Sequence, residues 1–420
     1  MKKTKALLII FLLGCMSMNA QGIYKTILDA GADENPRTVN TEHENHVVIC
    51  GKSNMGNKTF GWAYLLDSLG NYVEDLSVTD PDFSVEFRHV YKTNNGYRFL
   101  GVKNSIAGSF SQYIFIYETD KYFRPIDSSK VFLSDTLKIT GFRIFQDKDT
   151  NYIYHGYAVL IDGTGPIPFI FKTDKSGNIL HQQMGNYPNF TGWLNYNLLE
   201  NFEGNGYLLF SQYPVSYPEP LALNINPDLS VKSSGHIKLP DSLQFGNVTT
   251  SMWDYYDVTK FNNKIVFIAR AGLDREDFYL TKIDTNGNIL EMVLDEGEHD
   301  YYLHGGINTL DYKNDHIYVS YQDSGRSGVD FPSYTNKIIV RKADTSLNII
   351  WEKRLGWDAY YWHSDIYATD DGGCLVMASV YDKDTMSYQN DIILYKLDAD
   401  GNVTNTHRIE DAAGQSLSVY

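Results

Sequence analysis

Seven times along a chain of 420 residues an apolar run ends in a turn led by Asp or Asn, at Asp67, Asp120, Asp174, Asn226, Asp284, Asp344 and Asp398. The gaps are 53, 54, 52, 58, 60 and 54 residues, and a period that regular means one structural unit stacked on copies of itself. Four copies carry the full Asp-x-x-Gly-Asn form, at 67–71, 174–178, 284–288 and 398–402. Gly and Asn there can take the positive φ that a tight strand-to-strand turn requires.

Between these turns each unit divides into four short strands, with no helical period of useful length. In the last unit the strands read 364–369, 374–380, 391–397 and 403–409, with the turn 370–373 after the first. Second strands recur at 46–51, 97–102, 152–158, 207–212, 264–270, 316–321 and 374–380. Third strands are continuous apolar runs, as at 114–117, 169–171, 338–340 and 392–395, which suits strands covered on both faces. Lys172, Lys282, Lys342 and Lys396 stand two residues before their turns, a phase that assigns them to solvated strand ends. The pattern predicts an all-β fold, a seven-bladed β-propeller with four-stranded antiparallel blades spanning residues 21–410. Tandem β-sandwiches are the alternative, but they would not repeat one turn motif every 52 to 60 residues. Two segments compete to be the outermost strand of the closing blade, 22–28 and 403–409. The second follows its partner through a tight turn and so costs less closure entropy, which makes it the expected one.

Composition narrows the partners. With 36 Lys and Arg against 52 Asp and Glu, the formal charge is −16, which excludes nucleic acid as the expected ligand because a phosphate backbone needs a basic surface. Residues 1–20 read as a signal peptide: Lys2, Lys3 and Lys5 precede an apolar run, and Ala20 offers a cleavage point. A lipoprotein signal around Leu12-Leu13-Gly14-Cys15 is the rival reading. No later run reaches the roughly 20 apolar residues of a membrane helix, so no membrane span is expected. Cys50 and Cys374 sit three residues out of register in the repeat and should face opposite sides of their strands, which predicts two buried free thiols.

Blade segments such as Gly-Gly-Cys-Leu-Val-Met-Ala-Ser at 372–379, followed by Leu-Tyr-Lys-Leu-Asp-Ala-Asp-Gly-Asn at 394–402, resemble those of exported seven-bladed propellers from bacteria with type IX secretion. The resemblance spans residues 22–410 and specifies the blade rather than an activity. The tail 411–420, ending Gln415-Ser416-Leu417-Ser418-Val419-Tyr420, is similar to the start of the sorting domain that ends such proteins. The resemblance implies a secreted or cell-surface protein, with retention in the periplasm as the alternative.

Chemistry is expected where the units depart from the repeat. The segments leading into units five, six and seven carry Trp253, Asp254 and Tyr256; Asp300, Tyr302 and His304; and Asp358, Tyr361, Trp362 and His363. In a propeller such segments converge beside the central channel, where aromatic rings stack on apolar ligand faces and carboxylates accept hydrogen bonds. These ten residues are the candidate ligand-binding set, for a glycan or a protein. The structural alternative is that they fill the channel mouth and pack blade to blade. Catalysis by His304, His363 and Tyr361 in a polysaccharide lyase or glycoside hydrolase is the competing function. No metal site, cofactor motif, phosphate loop or nucleophile elbow is read from the sequence. The turns at 284–288 and 398–402 approach a calcium loop but lack its distal Glu and place Gly one residue early, so they are read as turns. A monomer is expected.

Overall fold

A computed structural model describes residues 25–28, 33–42, 46–55, 58–106, 112–134, 137–160, 166–185, 196–211, 221–236, 254–271, 277–285, 288–295, 301–302, 309–323, 336–356, 359–381, 390–403 and 406–408. The signal segment and the final tail lie outside these residues. Each repeated turn is held by its leading side chain. Asp67 Oδ1 accepts the N–H groups of Leu69 and Asn71, both at 2.8 Å, while its Oδ2 accepts the Asn71 side-chain amide at 2.9 Å. Asp174 and Asp398 do the same with Asn178 and Asn402. A carboxylate so occupied forms its own turn, as the sequence suggests, rather than a cation loop. The penultimate residue is left-handed, at φ +81° in Gly70, +85° in Gly177 and +77° in Gly401. Where the motif lacks Gly, Phe123, Leu229 and Leu347 take that conformation and bury their side chains against a blade interface. Burial of about 2 kcal/mol offsets the strain of roughly 1 to 2 kcal/mol.

Strand β1 (Lys25–Leu28) precedes seven sheets, antiparallel throughout the described residues except where β1 pairs with the last strand. Blade one holds β2 (Asp33–Glu42), β3 (His46–Met55), β4 (Lys58–Leu66) and β5 (Tyr72–Val78); blade two holds β6 (Phe83–Lys92), β7 (Gly96–Ser105), β8 (Gln112–Asp120) and β9 (Pro125–Ser134). Blade three is β10 (Leu137–Gln146), β11 (Tyr152–Leu160), β12 (Pro166–Thr173) and β13 (Ile179–Met184). Blade four is β14 (Tyr196–Glu200), β15 (Tyr207–Ser211), β16 (Leu221–Ile225) and β17 (Val231–His236). Blade five is β18 (Asp254–Phe261), β19 (Lys264–Ala271), β20 (Asp277–Ile283) and β21 (Ile289–Asp295). In blade six the first strand is split into β22 (Tyr301–Tyr302) and β23 (Leu310–Lys313), both paired to β24 (His316–Asp323), with β25 (Lys337–Asp344) and β26 (Ile349–Gly356) outside. Blade seven is β27 (Tyr360–Ala368), β28 (Cys374–Tyr381) and β29 (Asn390–Leu397), followed outward by β1 and then β30 (Thr406–Arg408). Among the described residues there is no helix, and so none long and apolar enough to cross a membrane.

Seven apolar clusters occupy the seven blade junctions. Val39, Ile49 and Trp62 of blade one meet Leu375, Met377 and Leu394 of blade seven, which closes the ring. The closure corrects one expectation in part: both competing segments join the closing blade, and 406–408 is its outermost strand, but it is not the strand paired with the third. β1, not 403–409, pairs with β29, in the register Lys25↔Tyr395 to Leu28↔Ile392, while β30 lies parallel beyond it. The physical reason is that blade one already packs on blade seven, so β1 has only residues 29–32 to span before β2. The closure that looks long in sequence is short once the ring is assembled.

The lysines bring a second correction. Lys172, Lys282, Lys342 and Lys396 are only 7, 2, 5 and 1 % exposed. Each reaches a polar partner: Lys172 donates to Tyr207 Oη of blade four at 3.1 Å, Lys282 to the Thr345 carbonyl of blade six at 2.7 Å, and Lys342 to the Gly372 carbonyl of blade seven at 2.9 Å. Lys396 pairs with Asp371 at 2.7 Å within blade seven. The strand ends where they stand are covered by the neighbouring blade rather than by water. Cys50 and Cys374 are free and buried, at the junctions of blades one with two and six with seven respectively. Burial pushes the Cys374 thiol up to about 12 and that of Cys50 well above its usual value, so both stay protonated.

Candidate functional site

The first strand of each blade lines the ring axis, and the described first strands of blades one, two, three, five and seven each carry a bulge near mid-strand. The extra residue falls between Pro36 and Thr38, Phe87 and His89, Ile139 and Gly141, Tyr255 and Asp257, and His363 and Asp365. Bulges re-aim side chains, and carboxylates on the first strands of blades five, six and seven, two of them beside a bulge, tie one first strand to the next. Asp257 Oδ2 accepts the N–H groups of Thr309 and Leu310 in blade six, at 2.8 and 3.0 Å. Asp311 Oδ2 accepts the Ala368 N–H of blade seven at 2.6 Å, and Asp365 Oδ2 accepts the Val39 N–H of blade one at 2.7 Å. Blades five, six, seven and one are thereby fastened in sequence around the axis.

The candidate residues divide into three groups. Trp253, Asp300, His304 and Asp358 lie outside the described residues. Asp254, Tyr256 and Tyr302 have described backbones: Asp254 opens β18 opposite Arg270, Tyr256 is the bulged residue of that strand, and Tyr302 pairs with Gln322. Tyr361, Trp362 and His363 are fully described and belong to strand β27, which begins four residues earlier than the expected start at 364. They continue the ladder with β28 because Tyr361 and His363 point into the blade six to seven junction, where burial favours extended pairing over a loop.

Tyr361 is 1 % exposed and His363 fully buried. The Tyr361 backbone is clamped by Asn336, whose Oδ1 accepts its N–H at 2.6 Å and whose amide donates to its carbonyl at 2.8 Å. Its ring rests on Gly356, at φ +86°, where any Cβ would collide with it. His363 Nε2 shares a 2.6 Å hydrogen bond with Ser320 Oγ of blade six. Burial drives its imidazole down to about 3, so it is neutral at physiological pH. Both side chains are buried in the junction of blades six and seven. Trp362, half-buried, sits between them on the opposite face, its ring centroid 6.5 Å from that of Tyr360. Among the described residues no group of three or more His, Cys, Asp or Glu side chains is placed to hold a metal ion.

The first strands also hold charged groups that the sequence reading did not single out. Glu86 of blade two receives Arg37 Nε of blade one at 2.9 Å and Arg88 Nη2 at 3.1 Å, with Lys52 Nζ 3.9 Å away. Burial alone would raise the Glu86 carboxyl, but the charges of Arg88, Arg37 and Lys52 outweigh it and hold it below its ordinary value. Arg143 of blade three reaches past blade four to Asp257 of blade five at 3.0 Å, a contact between non-adjacent blades that has to pass through the channel. The usable signal was the repeat itself, since Arg37 and Arg88 stand 51 residues apart at the same bulge position.

No protein-family model matches the chain, and no curated protein matches it. Among solved structures it is similar to the polysaccharide lyase Uly1, with a TM-score of 0.55 and 8 % sequence identity over 90 % of this chain and 99 % of that one. A Synechocystis apocarotenoid oxygenase aligns with a TM-score of 0.47 and 9 % identity over 94 % of this chain and 92 % of its own. An acylaminoacyl peptidase from Pyrococcus horikoshii aligns with a TM-score of 0.47 and 10 % identity over 85 % of this chain, which matches 51 % of the peptidase. At 8 % identity the likeness to the lyase is one of fold alone.

Proposed function

We propose that this propeller is an exported binding and scaffold module that captures a glycan or protein ligand at the rim where blades five, six and seven meet the channel. The signal-like residues 1–20 and the resemblance to propellers of bacteria with type IX secretion support export to the cell surface. The observation that carries the reading is the stapling of first strands by Asp257 and Asp311. It sets β18, β23 and β27 side by side, which supports reading the segments that lead into them, with Trp253, Asp254 and Tyr256, then Asp300, Tyr302 and His304, then Asp358 and Trp362, as one rim. A rigid scaffold below a rim of aromatic and acidic residues is the arrangement that orients a polar ligand at low entropic cost. Tyr361 and His363 serve as its buried foundation, and a catalytic role for either gains no support from that position.

Arrays of glycans and peptides probed with the wild type and with a Tyr256→Ala, Tyr302→Ala, Trp362→Ala triple variant test this reading. Loss of at least tenfold in apparent affinity for the ligand bound by the wild type is the expected result. Undiminished capture by a folded triple variant would remove the rim from consideration.

A further inference from the structure

The channel wall formed by blades one and two carries more positive charge than its own carboxylate offsets. Arg37 Nε donates to Glu86 Oε1 at 2.9 Å, Arg88 Nη2 donates to Glu86 Oε2 at 3.1 Å, and Lys52 Nζ stands 3.9 Å from that second oxygen. We propose that this wall binds the carboxylate of an acidic ligand, with Arg37 as its principal contact and Arg88 and Lys52 supplying further charge. The inference deepens the reading above, on which it rests for the approach of the ligand through the rim, by giving that ligand a chemical class.

Three cations meet one carboxylate here, in a chain whose formal charge is −16. Burial raises the Glu86 carboxyl, but the charges of Arg88, Arg37 and Lys52 bring it below its ordinary value, so it is ionised and still outnumbered. Burial, followed by the charge of Arg37, presses the Arg88 guanidinium down in spite of Glu86, as expected where cations crowd. The contact across the channel has no such excess, since Arg143 meets Asp257 one to one at 3.0 Å.

The excess belongs to these two blades and not to the repeat. Arg37 and Arg88 are the extra residues of their bulges, so they leave the alternation that sends Val39 into the junction with blade seven and Val85 and Phe87 into the junction of blades one and two. The same bulge position holds Thr140 in blade three, Tyr256 in blade five and Ser364 in blade seven. Blades that form with Thr, Tyr or Ser there show that the bulge does not need a guanidinium to fold.

The charge is also within reach of a guest. The side chains of Arg37, Lys52 and Arg88 are 26, 26 and 15 % exposed, and the two arginines stand on strands that line the channel. Among the described residues the one hydrogen bond of Arg37 runs through Nε, which leaves Nη1 and Nη2 open, and neither of these is buried. The two groups lie side by side in one plane, a fork that matches both oxygens of a carboxylate. A neutral amide or hydroxyl brings no charge to meet the excess. A dianion such as phosphate does, but the acidic body of the protein opposes each added negative charge, which favours the group that brings only one.

The test uses the mature chain at low, constant ionic strength, because salt screens exposed charges. Acetate and benzoate, observed by carbon NMR of a labelled carboxyl, are the probes; acetamide is the uncharged control, and methyl sulfate and inorganic phosphate are the other anions. Thermal melting checks folding. Both carboxylates should bind the wild type and acetamide should not. Arg37→Gln should weaken carboxylate binding by roughly tenfold or more and Lys52→Gln by about threefold, while the rim triple variant binds as the wild type does. Arg37→Lys keeps a charge beside Glu86 without the fork, so it should weaken binding less than Arg37→Gln, and it carries the comparison should the glutamine variant not fold. Carboxylate binding equal to wild type in the folded Arg37 variant overturns the channel site and leaves the rim, judged by the arrays, standing. Failure of both carboxylates to bind, or binding of methyl sulfate or phosphate where they do not, overturns it as well. Carboxylate binding lost with Arg37, beside array capture that the rim triple variant retains, upholds the channel site and overturns the rim.

Discussion

At the scale of single residues, one turn chemistry is repeated faithfully and its neighbours are not. Asp67, Asp174 and Asp398 could be read as turn-formers because all their partners lie within four residues along the chain. Lys172, Lys282 and Lys342 could not be placed the same way, since the groups that bury them belong to the following blade. The buried histidines make this scale testable. Burial, with the charge of Arg143 added, drives the His155 imidazole down to about 3. Burial acts alike on His363, also down to about 3. In the unfolded chain each returns to about 6.5, so below that pH the unfolded state takes up protons that the fold refuses. Their contribution is therefore present in full above about pH 6.5 and is lost as pH falls towards 3, by up to about 1.4 kcal/mol per pH unit for each histidine. Urea denaturation at pH 7 and pH 5 should show His155→Gln losing less stability than the wild type over that interval. Equal losses in the two proteins would mean that His155 is not held neutral by the fold.

At the scale of elements, period-two patterning located every second strand to within a few residues, but it misjudged where first strands begin. β27 starts at Tyr360 rather than at 364, because Tyr361 and His363 are drawn into the junction with blade six. The bulges were also hidden, since an extra residue shifts the alternation that the reading depends on. Hydrogen bonds to Asp257, Asp311 and Asp365 join these strands from blade to blade. Asp365→Ala removes the acceptor of the Val39 N–H, which lies 2.7 Å away and is buried at the blade seven to one junction. Hydrogen exchange should then accelerate at Val39 and its neighbours by about tenfold or more while blades three and four keep their protection. Uniform acceleration throughout the ring, or none at Val39, would contradict a local staple.

At the scale of the whole molecule, the sevenfold spacing contained the architecture, and the seven apolar clusters at seven junctions are its physical content. What the spacing could not convey was which end of the chain supplies the strand paired with β29, because sequence distance overstates the cost of a closure that assembly has already prepared. The candidate site was legible only as a location, the segments that lead into the first strands of units five, six and seven, whereas the contact of Arg143 with Asp257 joins blades three and five and is marked by no local motif. Closure by β1 is the central claim, since it joins blade one to blade seven and makes the ring a single cooperative unit. The direct measurement is differential scanning calorimetry of two truncated proteins beside the mature chain, one beginning at residue 30 and the other ending at residue 403. The account predicts that loss of β1 lowers Tm by several degrees or more and broadens the transition, while loss of the residues beyond 403 changes Tm by no more than a degree or two. A larger loss from the C-terminal truncation than from the N-terminal one would contradict it.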